Sequence, residues 1–296
     1  MNGESQIRSV LESACAAAGL SADGAEAISV GENAVYRLPG HIVARISRPG
    51  RSGVARREVA VSRWLAASGM RAVRVVREAP QSVAIDGRPV VFWRELPPHG
   101  VSRPVVVAGA LRRLHGLPPP VDIGLRVLRP FARLDGRIDA ATGTSDEQRC
   151  WMRGHLASLA RRWADLPKGL PWCVIHGDAH EGNIVTADDG EAIVLDLERF
   201  CIGPPEWDLV QTAVNRATCG WITGDEYAAF TAAYGFDVMR WEGFELLRDI
   251  REFRMTAWLL QQVAERPQLR DQAVHRLACL RGEHGARPWT GWAPVY

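Results

Sequence analysis

One segment, residues 173–198, constrains the fold of this chain more than any other. The apolar run Cys173-Val174-Ile175 delivers His176-Gly177-Asp178 at its end. A loop loosened by Gly182 follows, and Asn183 stands five residues after Asp178. A second apolar run starts at Ile184-Val185, turns at Asp188-Asp189-Gly190, and returns as Ala192-Ile193-Val194-Leu195 to end on Asp196. Short apolar runs bounded by Gly, Asp and Asn read as buried strands joined by tight turns. Two carboxylates and an amide therefore emerge from neighbouring strand ends and can converge on one point.

The rest of the chain supplies a frame for that segment. Residues 6–19 read as an amphipathic helix closed by Gly19. Residues 27–30, 34–38 and 41–46 read as a three-strand meander with turns at Gly31-Glu32-Asn33 and Pro39-Gly40. A helix over 54–68 follows, then strands over 74–76, 82–85 and 89–93. Pro97-Pro98-His99-Gly100 breaks the pattern. Helices over 104–116 and 145–165 come next, and after residue 209 the chain is mostly helical to about Leu280. The expected class is α+β, with a mainly β lobe (1–97) containing one helix and a mainly α lobe (98–296).

Composition excludes several functions. At 296 residues and 47% hydrophobic content the chain can bury a large core. No apolar run approaches the roughly 18 residues of a membrane span, and Met1-Asn2-Gly3-Glu4-Ser5 does not start an export signal. Residues 1–145 hold 20 arginines against 12 acids, and residues 146–296 hold 16 cations against 22 acids. The arginines are scattered rather than clustered with aromatics, so no nucleic-acid partner is expected. The six cysteines form no Cys-x-x-Cys pair, which predicts reduced thiols and a cytoplasmic location. Nothing in the pattern separates a monomer from a homodimer. Lys168 is the only lysine.

The arrangement around Asp178 suits phosphoryl transfer. That reaction needs one carboxylate to accept a hydroxyl proton, and oxygen ligands to hold Mg²⁺ against phosphates. An Asp, four residues and an Asn, followed by a strand-terminal Asp, is the logic of the protein-kinase catalytic loop.

The segment resembles the catalytic region of the aminoglycoside phosphotransferases and related small-molecule kinases. Gly203-Pro204-Pro205-Glu206-Trp207-Asp208-Leu209 is similar to that family's Gly-Asp-Pro-x-x-Asp-Leu segment, whose second Asp is structural. Leu111 to His115 is similar to its helix ending in Leu-His. The resemblance implies a bilobal protein-kinase-like fold and ATP (or GTP) with Mg²⁺ as cofactors. The acceptor it implies is a hydroxyl on a small molecule. Asp178 then takes the role of catalytic base, and Asn183 and Asp196 those of metal ligands. The family's phosphate-binding strand lysine falls on Arg45, and its partner helix acid on Glu58. Arginine keeps the charge and adds a planar fork. Val30–Tyr36 sits where the nucleotide-covering loop belongs, and Trp93, Glu95 and Leu96 where the hinge reads the base. By analogy the acceptor is an antibiotic of aminoglycoside, nucleoside or peptide type, or a related secondary metabolite, phosphorylated to give resistance.

Competing readings stand beside this one. A primary-metabolite kinase shares every feature above. His176, Asp178 and His180 could form a metallohydrolase site, which leaves Asn183 and Asp196 unexplained. A non-catalytic kinase-like binder would account for Arg45, but not for the intact Asp178, Asn183 and Asp196. Arg45 could also be a solvated strand residue, and Glu58 an acid favoured by the first turn of its helix. Trp289 and Trp292 read as packing of the tail, and Cys173 as a small buried hydrophobe.

Overall fold

The computed structural model describes residues 3–31 and 33–295. In chain order it opens with α1 (Gly3–Ala18), β1 (Glu26–Val30), β2 (Ala34–Leu38), β3 (Ile42–Ile46) and α2 (Ser52–Ala67). Then come β4 (Val83–Ile85), β5 (Arg88–Arg94), β6 (His99–Val101), α3 (Pro104–His115), α4 (Leu134–Asp139) and α5 (Asp146–Ala164). The site region holds β7 (Cys173–Ile175), β8 (Ile184–Ala187), β9 (Ala192–Val194) and β10 (Cys201–Gly203). Helices α6 (Glu206–Ala217), α7 (Gly224–Tyr234), α8 (Phe244–Gln262) and α9 (Arg270–Leu280) complete the chain. The class is α+β, with an antiparallel sheet in the N-terminal region and a helical C-terminal region, as the sequence predicts. No helix among the described residues is long and apolar enough to cross a membrane.

Two compact units form: residues 1–102, 116–126 and 181–201 make the first, and the remainder makes the second. In the first, five antiparallel strands run in the order β1-β2-β3-β5-β4. Strand alternation decides which side chains meet. Ile42, Ala44 and Ile46 of β3 join Val10, Leu11 and Ala14 of α1 in one core cluster. Val43 packs with Ala55 and Val59 of α2, Val91 and Trp93 in a second cluster. Arg45 shares the parity of Val43, so it stands on the α2 face. A smaller sheet, ordered β6-β8-β9, completes this unit.

The strand expected at 74–76 is reduced to a single bridge between Val75 and Trp93. Arg94 N–H donates to the Arg74 carbonyl at 2.7 Å and Val76 N–H to the Phe92 carbonyl at 2.9 Å. A stretch held by this one bridge and its two bonds follows the edge of β5 without forming a ladder.

The second unit holds helices α3 to α9 and strand β7, which pairs with β10. Ser145 and Gln148 form a reciprocal capping box at the start of α5, as Thr223 and Glu226 do for α7. The tail packs: Trp289 and Trp292 are buried with ring centroids 5.3 Å apart.

Candidate active site

In the first unit, β2, β3, β5 and the 95–99 connector wall a cavity of about 930 Å³. Its lining includes Arg45, Glu58, Trp93, Glu95, Leu96 and Asp196, with Val35, Val43, Val73 and Leu197 as apolar walls. Arg45 and Glu58 form an ion pair there. Glu58 lies in the second turn of α2 and is buried, so the helix dipole of a first turn does not account for it. Burial pushes the Glu58 carboxyl up against the opposing pull of Arg45. Burial also opposes the charge on Arg45, but Glu58, Asp196 and Glu198 together hold its guanidinium above its ordinary value. A half-buried cation among three acids stays ionised. Its guanidinium carbon lies 5.6 Å from the Trp93 ring centroid, and its Nε is buried without a hydrogen-bond partner.

The connector is less open than expected. The Glu95 carboxylate accepts from Arg37 Nε at 2.6 Å and faces His41 Nδ1 at 3.1 Å. Its own N–H donates to the His41 carbonyl at 2.8 Å. Arg37 first, and His41 second, hold the Glu95 carboxyl below its usual range. Of the expected covering loop, Gly31 and Asn33 are described, joined by an N–H to carbonyl bond of 3.1 Å, and Glu32 lies outside the described residues.

The β8–β9 hairpin carries the two expected metal ligands. Ile184 pairs with Val194, and Leu195 N–H donates to the Asn183 carbonyl at 2.8 Å. Asn183 and Asp196 are thereby brought to the same end of one ladder. Asp196 adopts φ 43°, ψ 71°, a left-handed conformation that costs a non-glycine residue about 1 kcal/mol or more. An amide oxygen and a carboxylate are both hard donors, and a site with few protein oxygens fits Mg²⁺, which keeps waters and phosphates as its other ligands. After Asp196, Glu198 forms an ion pair with Arg51 at the start of α2.

Asp178 belongs to the second unit and is half-buried. It follows β7 through a turn in which Gly177 takes φ 82°, a conformation glycine adopts without penalty. Asp208, fully buried in the first turn of α6, fixes this turn. Its Oδ2 accepts from His176 N–H at 2.7 Å and its Oδ1 from Gly177 N–H at 2.9 Å. His115 Nε2 lies 3.1 Å from the same carboxylate, while His115 Nδ1 meets the Tyr234 hydroxyl at 2.9 Å. Trp207 Nε1 donates to the Gly177 carbonyl at 3.1 Å. His176 is buried, with Nδ1 accepting from Asp178 N–H at 3.3 Å. Among the described residues no group of three or more His, Cys, Asp or Glu is placed to hold a metal.

Residues 25–247 match the sequence model of the phosphotransferase enzyme family, three quarters of the chain. The chain belongs to that family. Solved structures agree on the fold. An amicoumacin kinase in complex with AMP-PNP, Ca²⁺ and amicoumacin superposes with a TM-score of 0.72 at 14% identity, covering 98% of this chain and 99% of that one. A choline/ethanolamine kinase family protein from Mesorhizobium loti gives 0.64 at 18% identity, covering 98% and 97%. The aminoglycoside phosphotransferase APH(3'')-Id from Streptomyces rimosus gives 0.59 at 21% identity, covering 84% and 98%. No curated protein sequence matches.

Two residues of this phosphotransferase escape sequence reasoning. Arg251 of α8 donates from Nη1 to Asp178 Oδ1 at 3.2 Å, and Gln211 of α6 from Nε2 at 3.4 Å. Both sit more than 30 positions from Asp178 on amphipathic helices, where one Arg or Gln carries no spacing signal. By contrast, the His115–Asp208 contact joins the two flanking motifs that accompany Asp178 in the sequence.

Proposed function

We propose that this phosphotransferase moves the γ-phosphoryl group of ATP to a hydroxyl of a small molecule. The observation that carries this reading is the first-unit cavity, apolar along its walls and charged at Arg45, Glu58 and Asp196. Apolar walls suit a base, and a guanidinium suits phosphate oxygens through its planar fork. Glu58 orients Arg45. Trp93, Glu95 and Leu96 border the base; since the Glu95 side chain is committed to Arg37 and His41, recognition there falls to main-chain groups. Residues 1–97 form the nucleotide-binding part and 98–296 the catalytic and acceptor-binding part. GTP fits the same chemistry.

Asn183 and Asp196 would hold Mg²⁺, which would supply positive charge to offset that of the nucleotide phosphates. Asp178 receives the acceptor hydroxyl proton as the new O–P bond forms. The bond from the γ-phosphorus to its bridging oxygen breaks, and the electron pair leaves with ADP. His176 and Asp208 keep Asp178 at its station.

The acceptor is an antibiotic or related secondary metabolite, and phosphorylation gives resistance in the cytoplasm. Support comes from the amicoumacin kinase and the aminoglycoside phosphotransferase among the similar structures. The similarity to a choline/ethanolamine kinase family protein favours a second reading, a primary-metabolite alcohol. A nucleotide-consumption screen over antibiotics and metabolic alcohols, read by mass spectrometry for an added phosphoryl group, separates them. A product from any antibiotic, absent with Asp178→Ala, supports the first reading. A product from metabolic alcohols alone replaces it with the second, and no product from either panel counts against a small-molecule kinase.

A further inference from the structure

The second unit contains another cavity, of about 500 Å³, lined by the 163–172 segment, Pro204, Glu206 and Trp241. Most of its lining lies before β7, with Pro204, Glu206 and Trp241 joining from later in the chain. The phosphoryl-transfer reading uses none of them. Glu206 is fully buried. Its Oε1 accepts from Leu170 N–H at 2.5 Å, and its Oε2 has no hydrogen-bond partner. Among the described residues no cation pairs with it. An unpartnered buried carboxylate oxygen costs free energy unless a ligand satisfies it.

The walls are shaped around aromatic rings. Trp241 is held by its Nε1, which donates to the Lys168 carbonyl at 3.1 Å. A Cβ at Gly243 would collide with the Trp241 ring, and one at Gly169 would collide with the Glu206 carboxylate and lie 3.2 Å from Trp241 Cε2. Only glycine at these two positions lets the ring and the acid sit where they do. Trp172 is 53% exposed, an unusual state for an indole beside a cavity. Trp163 contributes a third ring to the lining.

We propose that this cavity binds an organic ammonium ion, with an N–H directed to Glu206 Oε2 and an apolar body against Trp172 and Trp241. A carboxylate supplies the charge-assisted hydrogen bond, and indole faces attract cations. Burial pushes the Glu206 carboxyl up, against the opposing Leu170 N–H, so the acid gains most from a cationic partner.

Calorimetric titration of the intact protein with n-pentylammonium, against n-pentanol as the neutral control, tests the proposal. One saturable site is expected, with n-pentanol at least about tenfold weaker, since a hydrogen bond to a charged group contributes about 1.5 kcal/mol or more. Glu206→Gln keeps an acceptor for Leu170 N–H and should raise Kd about tenfold. Trp172→Ala alters an exposed side chain and should raise Kd several-fold through the lost cation–π contact. Asp178→Ala should leave Kd unchanged. Absence of saturable binding overturns the proposal, as does binding that ignores both Glu206→Gln and Trp172→Ala, or binding lost only in Asp178→Ala. If Glu206→Gln fails to fold, Trp172→Ala decides.

Discussion

The surroundings of Arg45 and of Asp178 hold a functional charge in opposite ways. Arg45 is fixed by one side-chain partner, Glu58, inside a cavity with apolar walls. The turn that carries Asp178 is fixed through its main chain: Asp208 binds the N–H groups of His176 and Gly177, and Trp207 binds the Gly177 carbonyl, while Arg251 and Gln211 meet the Asp178 carboxylate itself. A side-chain pair can exchange one cation for another, which is what the proposed role of Arg45 at the family's lysine position requires. A backbone-anchored turn tolerates little, because its acceptors must match fixed N–H positions. On the function proposed above, the phosphate side would tolerate a change of residue type, while the base side would depend on a geometry set by a buried acid far along the chain.

The sharpest way to break this comparison is Asp178→Ala. Loss of a general base should lower kcat by about 10²–10⁴-fold while nucleotide affinity, measured by titration, stays within about twofold. An equal fall in nucleotide affinity would erase the separation of roles. Asp208→Ala comes next. Two buried N–H groups lose their acceptor, at about 1–3 kcal/mol each, so urea denaturation should show a lower midpoint and activity should fall with it. Unaltered stability would mean that the turn is held by other bonds.

Asp196→Asn should abolish the Mg²⁺ dependence of nucleotide affinity, because a neutral amide is a poorer partner for a hard dication. Persistence of that dependence would move the metal elsewhere. For the Arg45–Glu58 pair a double-mutant cycle on kcat/KM is the appropriate measurement. Glu58→Ala should add little once Arg45→Ala is made, with a coupling of about 1–3 kcal/mol, and Arg45→Lys should retain partial activity. Additive losses would return Arg45 to the status of an ordinary strand residue. The smallest effect concerns Cys173, whose thiol burial pushes up to about 12. At pH 8 it should resist alkylation in the folded protein, whereas exposed Cys150 reacts, as peptide mass mapping would reveal.

Much of the architecture was legible because local pattern and burial agree. Alternation in Ile42-Val43-Ala44-Arg45-Ile46 already separates the α1 face from the α2 face, and Asp188-Asp189-Gly190 closes the β8–β9 hairpin as its turn chemistry requires. At 74–76 a side chain intercepts the ladder: Gln81 Oε1 accepts the Phe92 N–H at 3.1 Å and its Nε2 donates to the Val76 carbonyl at 3.1 Å, so pairing with β5 stops after one bridge. At the candidate site, the Arg45–Glu58 contact was implied by the resemblance to a family that pairs a strand cation with a helix acid. Arg251 and Gln211 did not, since helix packing brings them to Asp178 and no local rule encodes that. The commitment of Glu95 to Arg37 and His41 was equally hidden, because it depends on how the β2–β3 turn meets the end of β5.

The guanidinium at position 45 also changes what reagents can reach. A lysine beside bound phosphates is a primary amine that acylating nucleotide probes capture covalently. Arg45 stays protonated at any accessible pH and offers no such nucleophile. With Lys168 as the sole side-chain amine, and exposed at the rim of the second cavity, amine-directed labelling of this enzyme would mark that rim and leave the first cavity silent.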